Sequence, residues 1–196
     1  MKEGSGPYRV MPRNSVTDGV IVLRAVEPKD VESIRQWRNA QMDVLRQRLP
    51  LTPVAQRAYF ASVVWPMKSQ LEPGQILLAI EQKGNLIGYG GFVHISWPDL
   101  RAEVSFLLEP SREKEPDARD EIFSRFLDLV SAVAFQDLGF HRLSTETFDL
   151  RRAHIATLET SGFVQEGLLR ENIIVENDFC DSVLHGLLAS KWETKC

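Results

Sequence analysis

The sequence predicts an α/β fold in which strands and helices alternate along the chain. Two observations lead to this prediction. In Ala102–Leu108 apolar and polar side chains largely alternate, which is the period of a strand with one buried face. From Asp117 the spacing changes to the helical period, and the apolar residues of 117–134 fall on one broad stripe. A strand that feeds a long helix through a polar loop leaves free N–H groups at the helix start, which suits a phosphate.

The composition limits the classes of function. The 196 residues carry 23 Lys and Arg against 27 Asp and Glu, so no broad electrostatic case exists for nucleic acid. No apolar run is long enough to span a bilayer, and the N-terminus lacks the apolar core of a signal peptide. Two cysteines, Cys180 and Cys196, are too few for a disulfide framework, which favours a cytoplasmic location. Cys180 is expected to be a structural thiol rather than a nucleophile.

Periodicity, caps and turn residues predict the other elements. Residues 1–18 are rich in Gly, Ser, Pro and charge and are expected to form a flexible tail before a single domain over 19–196. About seven strands are expected, at Val20–Val26, Ile76–Glu81, Leu86–Ile95, Ala102–Leu108, His141–Phe148, Phe163–Arg170 and Phe179–Leu188. About four helices are expected, at Val31–Asp43, 53–64, 117–138 and Arg151–Ser161.

Four stretches of the chain resemble, in the same order, the GNAT superfamily of acetyltransferases. They are IRQWRNAQMD at 34–43, AFQDLGFHRLSTETF at 134–148, TLETSGFVQEGLLRE at 157–171 and FCDSVLHGLL at 179–188. All four are similar to the branch that acetylates the N-termini of ribosomal proteins. The first is also similar to relatives that acetylate amino sugars. The resemblance covers about Val20 to Trp192.

The resemblance implies a GNAT fold with a mixed central sheet flanked by about four helices. Its fourth and fifth predicted strands, which are parallel neighbours, would splay apart in a V. Acetyl-CoA would lie in the gap, with its pantetheine arm on the backbone of Phe106, Leu107 and Leu108 and its diphosphate at the start of the long helix. The amine would attack the thioester directly, without a metal or a protein nucleophile.

Candidate catalytic residues follow from the same resemblance. Glu103 would accept the proton of the amine through water, and His154 would protonate the leaving thiolate or contact a CoA phosphate. The alternatives are a partly solvated strand residue for Glu103 and a surface helix residue for His154. The basic residues expected at the diphosphate are Arg112, Arg119, Arg151 and Arg152. The residues expected at the amine acceptor are Arg38, Asn39, Arg46 and His94, and for both groups a surface role is the alternative. Three aromatic residues, Trp37, Tyr59 and Phe60, are expected in the core.

The chain departs from the family pattern in two places. The loop PSREKEPDARDEIF before the long helix has Glu121 and Phe123 where the family has glycines, so close approach of backbone to phosphate is harder. Its carboxylates would also oppose a diphosphate. After the fifth predicted strand, Arg151 replaces a frequent Asn and Leu158 replaces the Tyr that protonates the thiolate in relatives.

The basicity of the amine limits which chemical class of acceptor is expected. Deprotonating a lysine amine of pKa about 10.4 costs roughly 4.6 kcal/mol at pH 7, against roughly 1.1 kcal/mol for an α-amine near 7.8. Without a strong base, a protein N-terminus, amino sugar or small amine is favoured over a lysine side chain. The sequence therefore predicts an acetyl-CoA-dependent N-acetyltransferase, a monomer or homodimer without metal, nucleic-acid or membrane partners. The alternatives are a binding module that has lost catalysis and an acyltransferase that uses another acyl-CoA.

Overall fold

The computed structural model describes residues 4–192. Eight strands form one mixed sheet: β1 (Ser15–Thr17), β2 (Val22–Ala25), β3 (Ile76–Gln82), β4 (Asn85–Ser96), β5 (Arg101–Leu108), β6 (Arg142–Phe148), β7 (Val164–Val175) and β8 (Asp178–Leu188). Their order across the sheet is β1-β2-β3-β4-β5-β6-β8-β7. Neighbours are antiparallel except β5 and β6, which are parallel. The predicted mixed α/β architecture is confirmed, with eight strands in place of seven.

Helices lie along both faces of the sheet. Those described are α1 (Val31–Ala40), α2 (Pro53–Tyr59), α3 (Trp65–Met67), α4 (Pro110–Glu113), α5 (Pro116–Ala132), α6 (Arg152–Thr160) and α7 (Ala189–Trp192). A π-helical segment at Phe60–Val64 joins α2 to α3, and another at Val133–Asp137 extends α5. Four helical stretches therefore contain most of the helical residues, as the sequence predicts.

The residues at the helix ends explain where the helices begin and stop. The Thr52 hydroxyl accepts a hydrogen bond from the N–H of Ala55 over 3.1 Å, and Pro53 takes the first position of α2. Pro116 opens α5 in the same way. Beyond the π-helical extension of α5, Gly139 has a left-handed φ of 69°, which glycine adopts without steric penalty.

Each face of the sheet has its own apolar core. Phe126 of α5 packs in the larger cluster on one face, and Ile34 of α1 packs with Phe60 on the other. Because successive side chains of a strand point to opposite faces, Phe106 belongs to the first cluster and Leu107 to the second. Strand β5 is thus buried on both sides, which holds its position in the sheet.

The N-terminal segment packs on the domain, whereas its composition predicts a flexible tail. Tyr8 is fully buried, and its hydroxyl accepts a hydrogen bond from the N–H of Leu77 over 3.0 Å. The Lys68 ammonium donates to three backbone carbonyls, two of them in this segment. Residues 15–17 pair with β2 as β1. One buried tyrosine and a three-residue strand are too short a pattern for periodicity to detect.

Two further features bear on the predictions from composition. Within residues 4–192 no helix combines the length and the apolar character needed to cross a membrane. Cys180 is half-buried on β8 with a free thiol, whose sulfur lies 3.4 Å from the Asp181 carbonyl. Cys196 lies outside the described residues.

Candidate active site

The parallel strands β5 and β6 separate after a short pairing. Paired positions run from Arg101 with Arg142 to Glu103 with Ser144, and the described residues show no pair beyond that point. The later residues of both strands line a V-shaped gap, which confirms the predicted splay. This gap encloses a cavity of about 560 Å³. That volume is within the usual range for a site that binds a small molecule. We call it the wedge cavity.

Alternate residues of β5 turn their backbone toward the wedge cavity. The N–H of Glu109 donates to the carbonyl of Ile87 just before Gly88 of β4. The Ala102 carbonyl accepts from the Ser144 hydroxyl of β6 over 3.4 Å. Because the N–H and C=O of one residue point to the same side of a strand and alternate along it, odd-numbered residues face β4 and even-numbered residues face β6.

This alternation decides which of the three predicted backbone contacts is possible. Phe106 and Leu108 present backbone groups to the gap, whereas Leu107 presents its groups to β4. The prediction for Leu107 therefore does not fit the register. The Leu108 carbonyl already accepts from Gln41 Nε2 over 2.8 Å, so both backbone groups of Phe106 and the N–H of Leu108 are oriented toward a ligand in the gap.

Glu103 lies at the apex of the wedge, as the last residue of β5 that pairs with β6. Burial raises the pKa of its carboxyl above the usual value, and the opposing effects of Arg46 and His94 are smaller. The side chain lines the wedge cavity. A carboxylate with a raised pKa is a better proton acceptor than an ordinary one, which suits a general base.

The guanidinium of Arg46 lies between two carboxylates of the wedge cavity. Its Nη2 is 2.5 Å from Glu146 Oε2, and its Nη1 is 3.7 Å from Glu103 Oε1. Sequence analysis did not identify Glu146. The alternation of side chains along β6 could have indicated it, because Glu146 lies two residues after Ser144 and therefore on the same face of the strand. A cation is therefore already held where an ammonium group would meet these carboxylates.

His154 lines the wedge cavity from α6 rather than lying on the surface. Its ring stacks on Phe123 of α5, with centroids 3.8 Å apart and planes 16° apart. Burial, and then the charges of Arg151 and Arg119, hold the pKa of His154 well below its usual value. The imidazole is therefore neutral at pH 7, and it can donate a hydrogen bond but does not supply an imidazolium.

Arg151 lines the same cavity beyond the end of β6. Its Nη2 donates to Glu113 Oε1 over 3.1 Å, and burial lowers the pKa of Arg151 while Glu113 opposes that shift. Two buried oxygens nearby, Glu113 Oε2 and Thr145 Oγ1, have no hydrogen-bond partner among the described residues. Of these two, Thr145 lines the wedge cavity, so its hydroxyl is available to pair with a polar ligand there.

The other three predicted diphosphate residues do not line the wedge cavity. Each pairs with a nearby carboxylate at 2.8–2.9 Å: Arg112 with Glu109, Arg119 with Asp120, and Arg152 with Asp149. Arg119 still affects the site through its charge, because it lowers the pKa of His154.

Of the residues predicted to contact the amine acceptor, some line the wedge cavity and one does not. Arg38, Arg46 and His94 line the wedge cavity. Asn39 instead fixes a loop, because its Oδ1 accepts from the N–H of Leu51 over 2.8 Å and its Nδ2 donates to the Leu51 carbonyl over 3.0 Å. His94 has a left-handed φ of 50° at a bulge of β4, a conformation that is uncommon for residues other than glycine.

A second cavity of about 390 Å³ adjoins the first on the side of α1 and α2. We call it the side pocket. Five residues line both cavities: Arg38, Tyr59, Gln75, Val93 and Ser105. Arg38 Nη1 donates to the Tyr89 hydroxyl over 2.8 Å, and its Nε donates to Gln47 over 3.0 Å. The prediction that Tyr59 is a core residue is wrong, since it is 43% exposed and lines both cavities.

Within residues 4–192 no group of three or more His, Cys, Asp or Glu side chains is arranged to hold a metal ion. The fit to acetyl-CoA is uneven. The free backbone of β5 and the unpaired Thr145 hydroxyl suit the pantetheine arm. Arg151, at the start of α6, offers a cation for the diphosphate, but Glu113 before α5 competes for that cation.

Comparison with known proteins identifies a family. The family model for the acetyltransferase (GNAT) domain matches residues 23–184. The fold is similar to a spermidine N-acetyltransferase from Vibrio cholerae in complex with CoA and spermine, with a TM-score of 0.77 and 20% identity, over 90% of this chain and 99% of that chain. It is also similar to a dodecameric spermidine N-acetyltransferase of that organism in an intermediate state, with a TM-score of 0.73, 19% identity and coverage of 91% and 99%. A search of curated proteins finds no match.

Proposed function

Because the chain belongs to the GNAT acetyltransferase family, we propose that it moves the acetyl group of acetyl-CoA to a primary amine of low pKa. Peptide N-termini, amino sugars and small amines are the candidate acceptors. The main observation in support of this proposal is the wedge cavity between β5 and β6, which has Glu103 at its apex. A thioester lying along β5 would end beside this carboxylate, and an amine entering from the side of α1 and α2 would meet both.

The proposed reaction is a direct transfer. The amine nitrogen attacks the acetyl carbonyl carbon, the C–S bond breaks, and the sulfur leaves as a thiolate that then takes a proton. Glu103 accepts the proton that the amine loses, through water. Its raised pKa supports this role, because a more basic carboxylate takes a proton from an ammonium with a smaller free-energy cost.

His154 is proposed to donate a hydrogen bond toward the leaving sulfur as a neutral imidazole. An ordinary thiol has a pKa of about 8.5, so leaving a thiolate at pH 7 costs only about 2 kcal/mol. A strong acid is therefore unnecessary. In this proposal His154 acts as a neutral imidazole. The lowered pKa of His154 disfavours the alternative, in which an imidazolium donates its proton to the thiolate.

The most informative experiment is thiol release from acetyl-CoA with a panel of amines. The panel contains a dipeptide with a free N-terminus, glucosamine, spermidine and Nα-acetyl-lysine. We expect release above the hydrolysis rate with the dipeptide or glucosamine. A preference for Nα-acetyl-lysine would reject the low-pKa class. Absence of release with every amine, while acetyl-CoA still raises the melting temperature, would favour a binding module. Faster release from a longer acyl-CoA would favour another acyl donor.

The proposed assembly is a homodimer rather than a monomer, in the cytoplasm. The outer hairpin of β7 and β8 supports a dimer, because it exposes large apolar side chains, with Val164 64% and Phe179 67% exposed. Such patches on soluble proteins often mark protein contacts. Sedimentation equilibrium tests this proposal, and a single species at the 22.3 kDa mass of one chain would contradict it.

A further inference from the structure

We propose that the side pocket binds a carboxylate of the acceptor through Arg38, so that the preferred acceptors are primary amines that carry a carboxylate rather than polyamines. This inference rests on the proposed acetyl transfer and names the substrate class for it.

The charge of the side pocket is the first argument. Arg38 is the one charged side chain among its described lining residues. Both hydrogen bonds of its guanidinium go to neutral oxygens, those of Tyr89 and Gln47, and none of the described carboxylates lies within ion-pair distance of it. A half-buried guanidinium without a counter-charge, in a cavity, is stabilised by an entering anion, and its planar fork matches a carboxylate.

Two further donors face the same space. Gln56 is only 4% exposed, lines the side pocket, and its amide has no hydrogen-bond partner among the described residues. The Tyr89 hydroxyl accepts from Arg38, which leaves its own proton free to donate. Burial raises the pKa of Tyr89, so this group stays a neutral donor. Amide and hydroxyl oxygens of the lining can also accept hydrogen bonds, but its formal charge is positive, so the side pocket favours an oxyanion over an ammonium.

The side pocket begins close to the proposed base. Val93, which lines both cavities, pairs with Glu103 across β4 and β5. Ser105 also lines both cavities and lies two residues after Glu103, roughly 7 Å along the strand. An acceptor whose amine lies at Glu103 can therefore reach the side pocket with a short chain. A polyamine in the same pose would bring a second cation beside Arg38, where like charges repel.

The test measures kcat/KM by thiol release for acceptors with and without a carboxylate. The acceptors are leucine with leucinamide, 4-aminobutyrate with butylamine, and spermidine. Each is measured with the wild type, Arg38→Gln and Arg38→Lys. Arg57→Gln is the matched control, because it removes an exposed charge from α2 and lines neither cavity. Each ratio of variant to wild type concerns one acceptor, so the pKa of its amine cancels.

We expect Arg38→Gln to lower kcat/KM about tenfold or more for the carboxylate acceptors, and to leave leucinamide and butylamine within about threefold. Arg38→Lys should retain part of the preference, and Arg57→Gln should change nothing. An equal loss for all acceptors, with an unchanged melting temperature, would overturn the proposal. A wild-type preference for spermidine would also overturn it.

A different result would show that the proposed acetyl transfer itself is wrong. In that case no amine releases thiol from the wild type, and the side pocket is tested by calorimetric titration of leucine and 4-aminobutyrate into the protein. Binding to the wild type that Arg38→Gln abolishes would support the carboxylate site. No binding of either compound to the wild type would overturn it.

Discussion

Arg151 donates a hydrogen bond to Glu113 across 3.1 Å, and the second oxygen of that carboxylate is buried without a partner in the described part of the chain. Arg151 lines the wedge cavity, and Glu113 lies three residues before α5. A diphosphate at this helix start would compete with Glu113 for Arg151. The glycine-free loop therefore supplies an internal competitor, Glu113, for the cation that Arg151 offers the cofactor from the start of α6.

Glu113→Gln is expected to strengthen CoA binding by about threefold to tenfold, because the variant releases Arg151 and removes a negative charge near the diphosphate. Isothermal titration of CoA measures the change in Kd. Glu176→Gln is the control, since Glu176 is exposed in the turn between β7 and β8 and lines neither cavity. Weaker binding to Glu113→Gln than to the control would show that the carboxylate supports the site.

Glu103→Gln is expected to lower kcat by roughly 10²–10⁴ while leaving the Kd for acetyl-CoA unchanged, because the amide keeps the shape but accepts no proton. Stopped-flow thiol release and calorimetry measure the two quantities. Glu72→Gln, in an exposed loop, is the matched control. A variant that keeps more than half of the wild-type kcat would remove Glu103 from the mechanism.

The pH dependence of kcat/KM follows from the pKa of Glu103, which burial raises above its ordinary value of 4.5. The ionised form is the base, so the rate should fall as the pH drops through the raised pKa, and the midpoint should lie above 4.5. Protonation of the amine adds a limb that both proteins share, and Glu103→Gln should lose only the limb of the carboxyl. A wild-type rate that stays flat down to pH 4.5 contradicts a raised pKa.

His154 should make the fold less stable in acid. Its pKa is lowered in the folded protein, so between that value and the unfolded value near 6.5 the unfolded chain binds more protons. Stability therefore falls as the pH decreases below about 6.5. His154→Phe keeps a ring against Phe123 and should show a shallower loss. Urea midpoints at pH 7 and pH 5 measure it, and identical pH dependence in both proteins would refute the assignment.

Gly91 should tolerate no side chain. Its φ is 119°, and a Cβ there would lie 2.2 Å from the carbonyl oxygen of Ile76. Gly91→Ala is expected to reduce the free energy of unfolding by about 1–3 kcal/mol or more. Gly74→Ala is the control, because its Cβ would be 3.7 Å from Met67, an ordinary contact. Equal urea midpoints for the two variants would contradict the steric account.

Local patterns were enough to predict most of the fold. The alternation in Ala102–Leu108 and the start of the long helix at Pro116 depend on neighbours in sequence, and both appear in the structure. Strand β1 was missed because three residues carry too little periodicity. Tyr59 was misassigned because a helical stripe shows which face is apolar, without showing whether a cavity lies beside it.

The site was less predictable because it depends on pairing between distant strands. The sequence of β5 does not show which residues turn their backbone to β4, so Leu107 was included with Phe106. Glu146 becomes part of the site only through the pairing of Glu103 with Ser144, which brings β6 beside β5. The contacts of Asn39 with Leu51 depend on a loop conformation that no local motif indicates.

The most direct test of the account is amide hydrogen exchange with and without acetyl-CoA. The central claim is that the cofactor lies in the gap between β5 and β6 and binds the even-numbered backbone of β5. We expect slower exchange at the amides of Phe106 and Leu108 and in the first turn of α5 when acetyl-CoA is added at saturation. Unchanged exchange at those amides, with acetyl-CoA bound according to calorimetry, would contradict the claim.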